Sequence, residues 1–181
     1  MLAYHFLKDD MTAGSGNEKP WKIGEERTIK DKIKLCKSGY HSSPSWYDAL
    51  QYAPGSMACI VEISEPIEKD TTKSASNTRK LIAAKDAKRV LRLWGCDCAE
   101  RALQRANVTD KRSWDAIKVS RDYANGKATK DELSAARDAA RAAAWDAAWA
   151  AARDAAWAAA RDAEISWQKE HLDEMMEELF E

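Results

Sequence analysis

Residues suited to acid–base chemistry meet in the turn 39–43, Gly-Tyr-His-Ser-Ser. His41 is the candidate catalytic histidine, because loop side chains are accessible and an imidazole titrates near neutral pH. Tyr40 adjoins it, and His5 and Glu62 lie in segments that a compact β unit could gather around the turn. The competing interpretation, which a turn histidine satisfies more often, is structural: the ring bonds a backbone group and holds the turn.

No metal or cofactor signature accompanies that turn. The four cysteines are Cys36, Cys59, Cys96 and Cys98. The last two are separated by one residue, tighter than the usual C-x₂₋₄-C zinc spacing, and no second pair completes a ligand set, so we expect buried free thiols. The sequence also has no glycine-rich phosphate loop, no H-E-x-x-H and no nucleophile elbow. It therefore predicts neither a metal nor a cofactor.

The composition is that of a folded, nearly neutral protein. Its 181 residues carry 29 Lys and Arg against 30 Asp and Glu, a formal net charge of −1. Dedicated binders of nucleic acid or membrane surfaces need a net basic charge, which this chain lacks. Residues 1–7 do not read as a signal peptide, and no apolar run approaches the roughly 20 residues of a membrane span. We expect a cytoplasmic protein with no membrane partner.

Charge is nevertheless unevenly distributed along the chain. Residues 69–112 contain 12 basic and 5 acidic side chains, whereas residues 162–181 contain 8 acidic and 1 basic. The simpler interpretation is that the acidic tail packs back on the basic helix or on a neighbouring subunit. The alternatives are that the basic segment binds nucleic acid, or that the tail imitates phosphates in a partner's nucleic-acid groove.

Residues 1–84 predict a small, β-rich α+β domain. The predicted elements are strands at 2–7, 33–36, 57–63 and 79–84 and a helix at 46–52. Ser43 followed by Pro44 is expected to cap that helix. Pro66 is expected to end the strand before it.

Residues 85–181 predict a helical bundle domain. Asp86 is expected to cap a helix that runs to about 107. A second helix is expected from about Asp110 or Ser113 to 123, closed by Asn125-Gly126. Thr129 and Glu132 have the spacing of a capping box and predict the start of a long helix. A break in this helix is expected near 164–166, where its alanine-rich composition ends.

The long helix is unusual in composition, with 18 alanines among the 29 residues of 135–163. Its tryptophans, Trp145, Trp149 and Trp157, share one ridge of large side chains at four-residue spacing. Helical aromatics usually fill a core, so we expect a central bundle helix. Methyl surfaces also allow close approach of a second copy, which predicts a homo-oligomer. Residues 130–181 contain no threonine, which excludes an ice-binding helix. Arginine and aspartate share one ridge of the helix, which excludes a helix that lies on a membrane surface.

Two stretches resemble known families. The run from Cys36 to His41, Cys-Lys-Ser-Gly-Tyr-His, with the helix and Val-Glu strand after it, resembles an uncharacterised phage and bacterial domain with a C-x-x-G-[FY]-H turn. The run from Cys98 to Leu103, with the Thr129 cap, resembles a helical immunity-protein family. The two resemblances cover about 1–84 and 85–181, and they imply a phage or mobile-element protein.

The set of His41, Tyr40 and Glu62 also resembles the sites of ADP-ribosyltransferase-type folds. In those folds a His, a Tyr or Ser and a Glu surround a nicotinamide dinucleotide. The resemblance implies an enzyme or nucleotide-binding module centred on His41.

The sequence favours a non-enzymatic protein that binds and neutralises a protein partner from a host or a defence system. Anti-CRISPR inhibitors and immunity proteins act in this way. The expected partner-binding residues are Trp145, Trp149, Trp157, Leu172, Met175, Met176, Leu179, Phe180, Glu174, Glu177 and Glu178. The alternatives are the module centred on His41 and, less favoured, nucleic-acid binding through residues 69–112.

Overall fold

The chain forms two compact units. The structure is a computed structural model that describes residues 1–14, 18–148 and 157–181, and side chains outside 143–161. One unit comprises Met1–Ala87 with Lys169–Glu181, and the other comprises Lys88–Gln168. The first contains an antiparallel sheet and the second is helical, which confirms the predicted α+β fold class. The predicted division into 1–84 and 85–181 assigned the whole acidic tail to the helical part, whereas here its last part, Lys169–Glu181, belongs with the sheet.

The first unit is organised around one antiparallel sheet. Its strands are β1 (Leu2–Leu7), β2 (Glu26–Thr28), β3 (Tyr40–Ser42), β4 (Met57–Lys69) and β5 (Ser74–Asp86). β4 and β5 form a long hairpin, β1 pairs with β4, and both β2 and β3 pair with β5. The predicted strands at 2–7, 57–63 and 79–84 all lie within these elements. The strand predicted at 33–36 is wrong, because a turn between Lys34 and Ser38 folds that segment back on itself.

β4 runs past Pro66, so the expectation that this proline ends the strand is also wrong. The register of β4 against β5 shifts between Ser64 and Ile67, and pairing resumes from Ile67 to Lys69. A bulge leaves a residue outside the ladder, and a proline without an N–H is tolerated there. The hairpin therefore extends far enough for its turn to bring Lys73 beside the loop that precedes β3.

The two faces of the sheet bury different sets of side chains. Successive residues of a strand point to opposite faces, so Ala3 and Leu7 face one way while Phe6 faces the other. The first face carries the core cluster, whose buried members are Ala3, Leu7, Trp21, Tyr40, Cys59, Val61, Ile63 and Leu81. Trp21 comes from the loop between β1 and β2 and covers this face.

The second face is covered by a short helix and by the tail. Helix α1 (Trp46–Leu50) places Trp46 against Phe6, with ring centroids 5.8 Å apart. Phe180 of the tail stacks on the same indole at 5.3 Å. Asp173 accepts a hydrogen bond from the Trp46 N–H at 3.2 Å. The tail is therefore part of the core of the first unit.

Helix α1 begins at Trp46, as predicted, but its cap differs from the expected one. Its N-cap is Ser45, whose hydroxyl accepts a hydrogen bond from the Asp48 N–H, so the expected cap at Ser43 is wrong. Ser43 instead pairs with Tyr4 of β1 through two backbone hydrogen bonds. Pro44 lies between Ser43, which pairs with β1, and Ser45, which caps α1.

Of the first three helices in the second unit, two have the caps that the sequence predicts, but the cap expected at Asp86 is wrong, because Asp86 ends β5 and the helix after it begins at Lys88. α2 is Lys88–Arg105, α3 is Lys111–Ala124 and α4 is Lys130–Ala148. Asp110 caps α3, and Asn125 followed by Gly126 at φ 71° closes it. The Thr129 hydroxyl and the Glu132 carboxylate bond each other's backbone N–H groups, which confirms the capping box.

The predicted break near 164–166 is wrong. Helix α5 (Trp157–Phe180) runs through these residues; its part up to Gln168 lies in the second unit and the rest in the first. No glycine or proline interrupts it, and Glu164 accepts hydrogen bonds from Arg101 and Arg105 at 2.8 and 2.7 Å. In the part of the chain that the structure describes, no helix is long and apolar enough to cross a bilayer.

Removing a side chain that docks the tail should destabilise the first unit. Met176 has no exposed surface, and it lines a shallow pocket with Tyr4, Ile60 and Phe180. Met176→Ala should lower the free energy of unfolding by about 2–5 kcal/mol, because it leaves a cavity. The matched variant Met175→Ala, at a half-buried position, should cost about 1 kcal/mol or less. Urea denaturation measures both, and equal losses would contradict the docking of the tail.

Candidate functional site

A cleft of about 620 Å³ opens in the first unit beside the predicted turn. His5 of β1, Tyr40 and His41 of β3, and Arg79 of β5 line it, and Lys73 of the β4–β5 turn lies at its edge. Three of the four residues that the sequence groups as a candidate site therefore do meet. The strand pairing explains this, because β3 lies along β5 opposite Ser74–Ser76.

His41 holds the turn in which it lies. Its Nε2 accepts a hydrogen bond from the Cys36 N–H at 3.0 Å, so the free electron pair of the neutral ring is engaged. Burial lowers the pKa of His41, Lys73 adds to the lowering, and a hydrogen bond to the Gly39 backbone opposes it. This hydrogen bond gives His41 the structural role that the sequence favours for it. A ring bonded in this way is not free to take a proton from a substrate.

His5 is half-buried, and one atom of its ring is buried without a hydrogen bond. Its Nε2 has no partner in the described part of the chain and no contact with solvent, although the ring lines the cleft. Burial lowers the pKa of His5 well below the ordinary 6.5, and the charges of Arg79 and His41 lower it further. His5 is therefore neutral at physiological pH. A buried polar atom without a partner is uncommon and marks a place where a ligand can supply the missing bond.

Tyr40 is a core residue as well as a lining residue. It is 8% exposed and packs edge-on against Trp21, with ring centroids 5.4 Å apart at 80°. Burial raises the pKa of Tyr40, and the nearby Glu18 raises it further. The phenol therefore stays protonated and offers the cleft an aromatic wall.

Arg79 is the main feature that the sequence prediction missed. It is only 3% exposed, and its Nη1 donates to the His41 carbonyl oxygen at 3.2 Å. Its guanidinium carbon lies 4.4 Å from the Trp21 ring centroid and 4.9 Å from that of Tyr40. Within the described ranges no carboxylate forms a salt bridge with it. Burial lowers the pKa of Arg79 to about 10, partly offset by Glu18.

The sequence did contain a signal for Arg79. Leu81 faces the core, and residues two apart on a strand share a face, so Arg79 had to point inward as well. It also stands opposite Ile63 of β4 and Arg27 of β2. An arginine in the inward register of a predicted strand was therefore detectable.

Glu62 does not belong to the cleft. It lies on β4 between Val61 and Ile63, which are buried, so its own side chain points to the opposite face and is exposed. Its strand neighbours are Leu2 and Lys80. The expectation that Glu62 gathers around His41 is wrong, because strand alternation places it on the other side of the sheet.

Comparison with known proteins identifies the family of this region. The family model described as "Domain of unknown function (DUF7666)" matches residues 1–93. The chain belongs to this family. All the cleft residues named above lie within the matched region. No curated protein and no solved structure matches the chain.

The tail residues predicted to bind a partner are divided between the core of the first unit and its surface. Leu172 and Met176 are fully buried, and Phe180 stacks on Trp46 of the DUF7666 region. Met175 and Leu179 are half-buried, and the three acidic residues, Glu174, Glu177 and Glu178, are exposed. The apolar face of the tail thus docks within its own chain. The side chains of Trp145, Trp149 and Trp157 lie outside the described residues.

Several charges of the basic segment 69–112 are paired internally. Arg101 and Arg105 bond Glu164, Lys111 pairs with Asp115, and Arg112 pairs with Asp110. These contacts include the pairing of acidic tail with basic helix that the simpler interpretation predicts. Arg79, in the DUF7666 region, is buried. The segment is therefore less available to nucleic acid than its formal charge suggests.

The cysteines are free thiols in different surroundings. Cys59 and Cys96 are buried, Cys98 is half-buried and Cys36 is exposed. The expectation of buried free thiols thus holds for Cys59 and Cys96 and is wrong for Cys36, which lies in the loop before β3. Among the residues that the structure describes, no cluster of His, Cys, Asp and Glu could hold a metal ion.

The lowered pKa of His5 should make the stability of the chain depend on pH. Its pKa is lowered in the folded state, so on acidification the unfolded chain binds the proton first. Stability is therefore complete above the unfolded pKa of 6.5 and should fall below it, by at most about 2 kcal/mol at pH 5. His5→Leu should remove most of this dependence of stability on pH. His41→Gln should leave a larger part of the dependence in place than His5→Leu does. Urea unfolding at pH 7 and pH 5 measures the effect, and an unchanged slope in His5→Leu would contradict it.

Proposed function

We propose that the DUF7666 region binds a small anionic ligand, through a phosphate or carboxylate group, in the cleft around Arg79. The single observation that carries the proposal is the guanidinium itself. It is nearly fully buried and lines an open cleft, and within the described part of the chain its one printed partner is a neutral carbonyl oxygen, that of His41. Buried charges in proteins are normally paired, so an arginine in this position supports an anion as its partner.

The energetics favour an external anion over a purely structural role. Burying an unpaired cation costs several kcal/mol, and stacking on aromatic rings offsets about 1–2 kcal/mol of it. Trp21 and Tyr40 supply that stacking. An oxyanion would add both opposite charge and charge-assisted hydrogen bonds, which are about twice as strong as neutral ones. Ligand binding would therefore relieve a cost that the free protein bears.

The volume of the cleft and two of its lining residues, Lys73 and His5, also support this proposal, while Glu18 and Asp31 are the carboxylates that line it. A volume of about 620 Å³ is within the range of sites for small organic molecules. Lys73 provides a second cation at the edge, and the buried Nε2 of His5 has no partner among the residues that the structure describes. The nucleotide-binding part of the module centred on His41 remains compatible with this cleft. The acid–base chemistry of that module would lack Glu62, which lies on the other face of the sheet, and the Nε2 of His41 already accepts a hydrogen bond from the Cys36 N–H.

The partner-neutralising function that the sequence favours stays a prediction. Leu172, Met176 and Phe180, three of the five apolar tail residues on which it rests, pack within the first unit. The exposed residues Glu174, Glu177 and Glu178 remain its available surface. The cleft is the stronger candidate, because its chemistry calls for a ligand and that of the tail does not.

Binding should depend on Arg79 and not on its cross-strand neighbour. Inorganic phosphate and AMP, titrated by calorimetry, should bind the wild-type chain, and Arg79→Gln should weaken binding at least tenfold, equivalent to about 1.4 kcal/mol. Arg27→Gln is the matched control. Arg27 lies 4.1 Å from the same Trp21 ring, but it pairs with Glu25 and does not line the cleft.

Two further measurements keep the test decisive if Arg79→Gln does not fold. Phosphate or AMP should raise the thermal midpoint of the wild-type chain, as any ligand of the folded state does. Lys73→Ala, a surface change, should weaken binding about two- to fivefold. Absence of binding by phosphate, AMP and acetate to the folded wild-type chain would overturn the proposal, as would equal losses in the Arg79 and Arg27 variants.

A further inference from the structure

The second unit contains a groove of its own, formed by three of its helices. The groove has a volume of about 490 Å³ and is lined by α2, α3 and α4. A volume of this size is within the range of sites for small organic molecules. Most of its wall is apolar, and the larger part of that wall consists of Leu91, Ala99, Leu103, Ala116, Ile117 and Leu133. The function proposed above concerns the first unit and does not involve this groove.

The two charged side chains that line the groove are both cationic. They are Arg92 of α2 and Arg137 of α4, and within the described part of the chain no aspartate or glutamate lines the groove. The guanidinium carbon of Arg92 lies 4.9 Å from the centroid of the Tyr123 ring, which lines the groove as well. This stacking holds the cation at the wall. The groove therefore favours a ligand that is mainly apolar and carries a negative charge.

The three helices alternate in direction. Arg89, near the start of α2, bonds Asn125 at the end of α3. Farther along α2, Asp97 bonds Arg121, which comes earlier in α3, so these two helices are antiparallel. Five residues, 125–129, join α3 to α4, and α4 packs against α3 as in an antiparallel helical hairpin. The start of α2 and the start of α4 therefore lie at the same end of the groove.

This topology separates a cationic end of the groove from an apolar end. Arg92 and Arg137 both lie within the first eight residues of their helices. Leu103, near the end of α2, and Ala116, in the first half of α3, line the opposite end, where Ser113 supplies a hydroxyl group. A molecule with a charged head and an apolar chain matches this arrangement.

Gly95 leaves space in the wall between the two ends. It lies in the interior of α2, where glycine weakens a helix relative to alanine, and it lines the groove. Its φ is not positive, so the backbone conformation does not require glycine. A Cβ atom added at Gly95 would meet no neighbouring element within 4 Å in the described part of the chain. A molecule lying in the groove would use this space, because it could approach the helix backbone closely.

We propose that the groove binds a single-chain amphiphile with a carboxylate head, the chemistry of a free fatty acid. The carboxylate lies at Arg92 and Arg137, and the alkyl chain runs past Gly95 towards Leu103. Burial of the alkyl chain drives binding, and the two cations select the head group. This site shares no residue with the cleft around Arg79, so it stands or falls independently of the function proposed above.

The charge of the head group provides the first test. Dodecanoate and dodecyltrimethylammonium have the same alkyl chain and opposite charges. Each is titrated into the full-length chain by calorimetry, below its micellar concentration and in phosphate buffer, so that phosphate competes for the cleft around Arg79. We expect one dodecanoate per chain, bound about tenfold or more tightly than the cationic analogue, because two cations face the head group. Absence of dodecanoate binding, or equal binding of the two compounds, would overturn the proposal.

A substitution that fills the groove provides the second test. Gly95→Leu should weaken dodecanoate binding about tenfold or more, because the new side chain takes the space of the alkyl chain. Gln104→Leu is the matched control: it adds leucine at an exposed position of α2 outside the groove and should leave binding unchanged. Circular dichroism should show that both variants keep their helices, since leucine is a good helix former. Unchanged binding by a folded Gly95→Leu chain would place dodecanoate elsewhere and refute the site.

The arginines are tested without changing the apolar wall, which keeps the proposal falsifiable if Gly95→Leu does not fold. Arg92→Gln and Arg137→Gln should each weaken dodecanoate binding about two- to fivefold, the effect of one exposed charge pair. Arg141→Gln is the control, because Arg141 is exposed on the same helix as Arg137 and does not line the groove. Equal losses in the Arg137 and Arg141 variants would contradict the placement of the carboxylate.

Sedimentation equilibrium tests a competing occupant, a second copy of the chain. The wild-type chain and Gly95→Leu should have the same mass in solution, because the groove holds a small molecule. A wild-type dimer that becomes monomeric in Gly95→Leu would assign the groove to the second copy and overturn the proposal.

Discussion

The buried guanidinium of Arg79 is the interaction on which the first unit depends. It lies in the inward register of β5, bonds the carbonyl oxygen of His41 and contacts the rings of Trp21 and Tyr40. One charged group thereby joins three segments that are distant in sequence: the loop between β1 and β2, the turn at β3, and the long hairpin. The same cation faces the cleft, so the structural centre and the candidate site share a residue.

The two faces of the sheet present different side chains and are covered by different parts of the chain, because successive side chains of a strand point to opposite faces. One face carries Arg79 and His5 and is closed by irregular loops, which leave a cleft of about 620 Å³. The other face is closed by Trp46 and by the tail residues Met176 and Phe180. Loops can leave space for a ligand where a packed helix fills it. This division explains why the last part of the acidic amphipathic tail, Lys169–Glu181, is a structural element of the first unit and why the opposite face is the candidate site.

Local sequence signals determined much of the fold. The apolar alternation of 2–7, the β-branched run at 57–63 and the Thr129–Glu132 capping box each specify their element through contacts within a few residues. The errors arose where a tertiary contact decided the outcome. Ser43 pairs with Tyr4 and so does not cap a helix, Pro66 is accommodated in a bulge, and Glu164 is held by Arg101 and Arg105.

For the candidate site, the sequence by itself identified the turn that contains Tyr40 and His41, and it identified the contribution of His5. Turn residues and titratable side chains can be recognised from residue type alone. Only the tertiary structure excluded Glu62 and added Arg79, since the face to which a strand residue points depends on register across the sheet. It also showed that the His41 ring is engaged by Cys36 and that the apolar tail residues are covered. Burial and hydrogen bonding are properties of the assembled chain, because they depend on groups that are far apart in sequence.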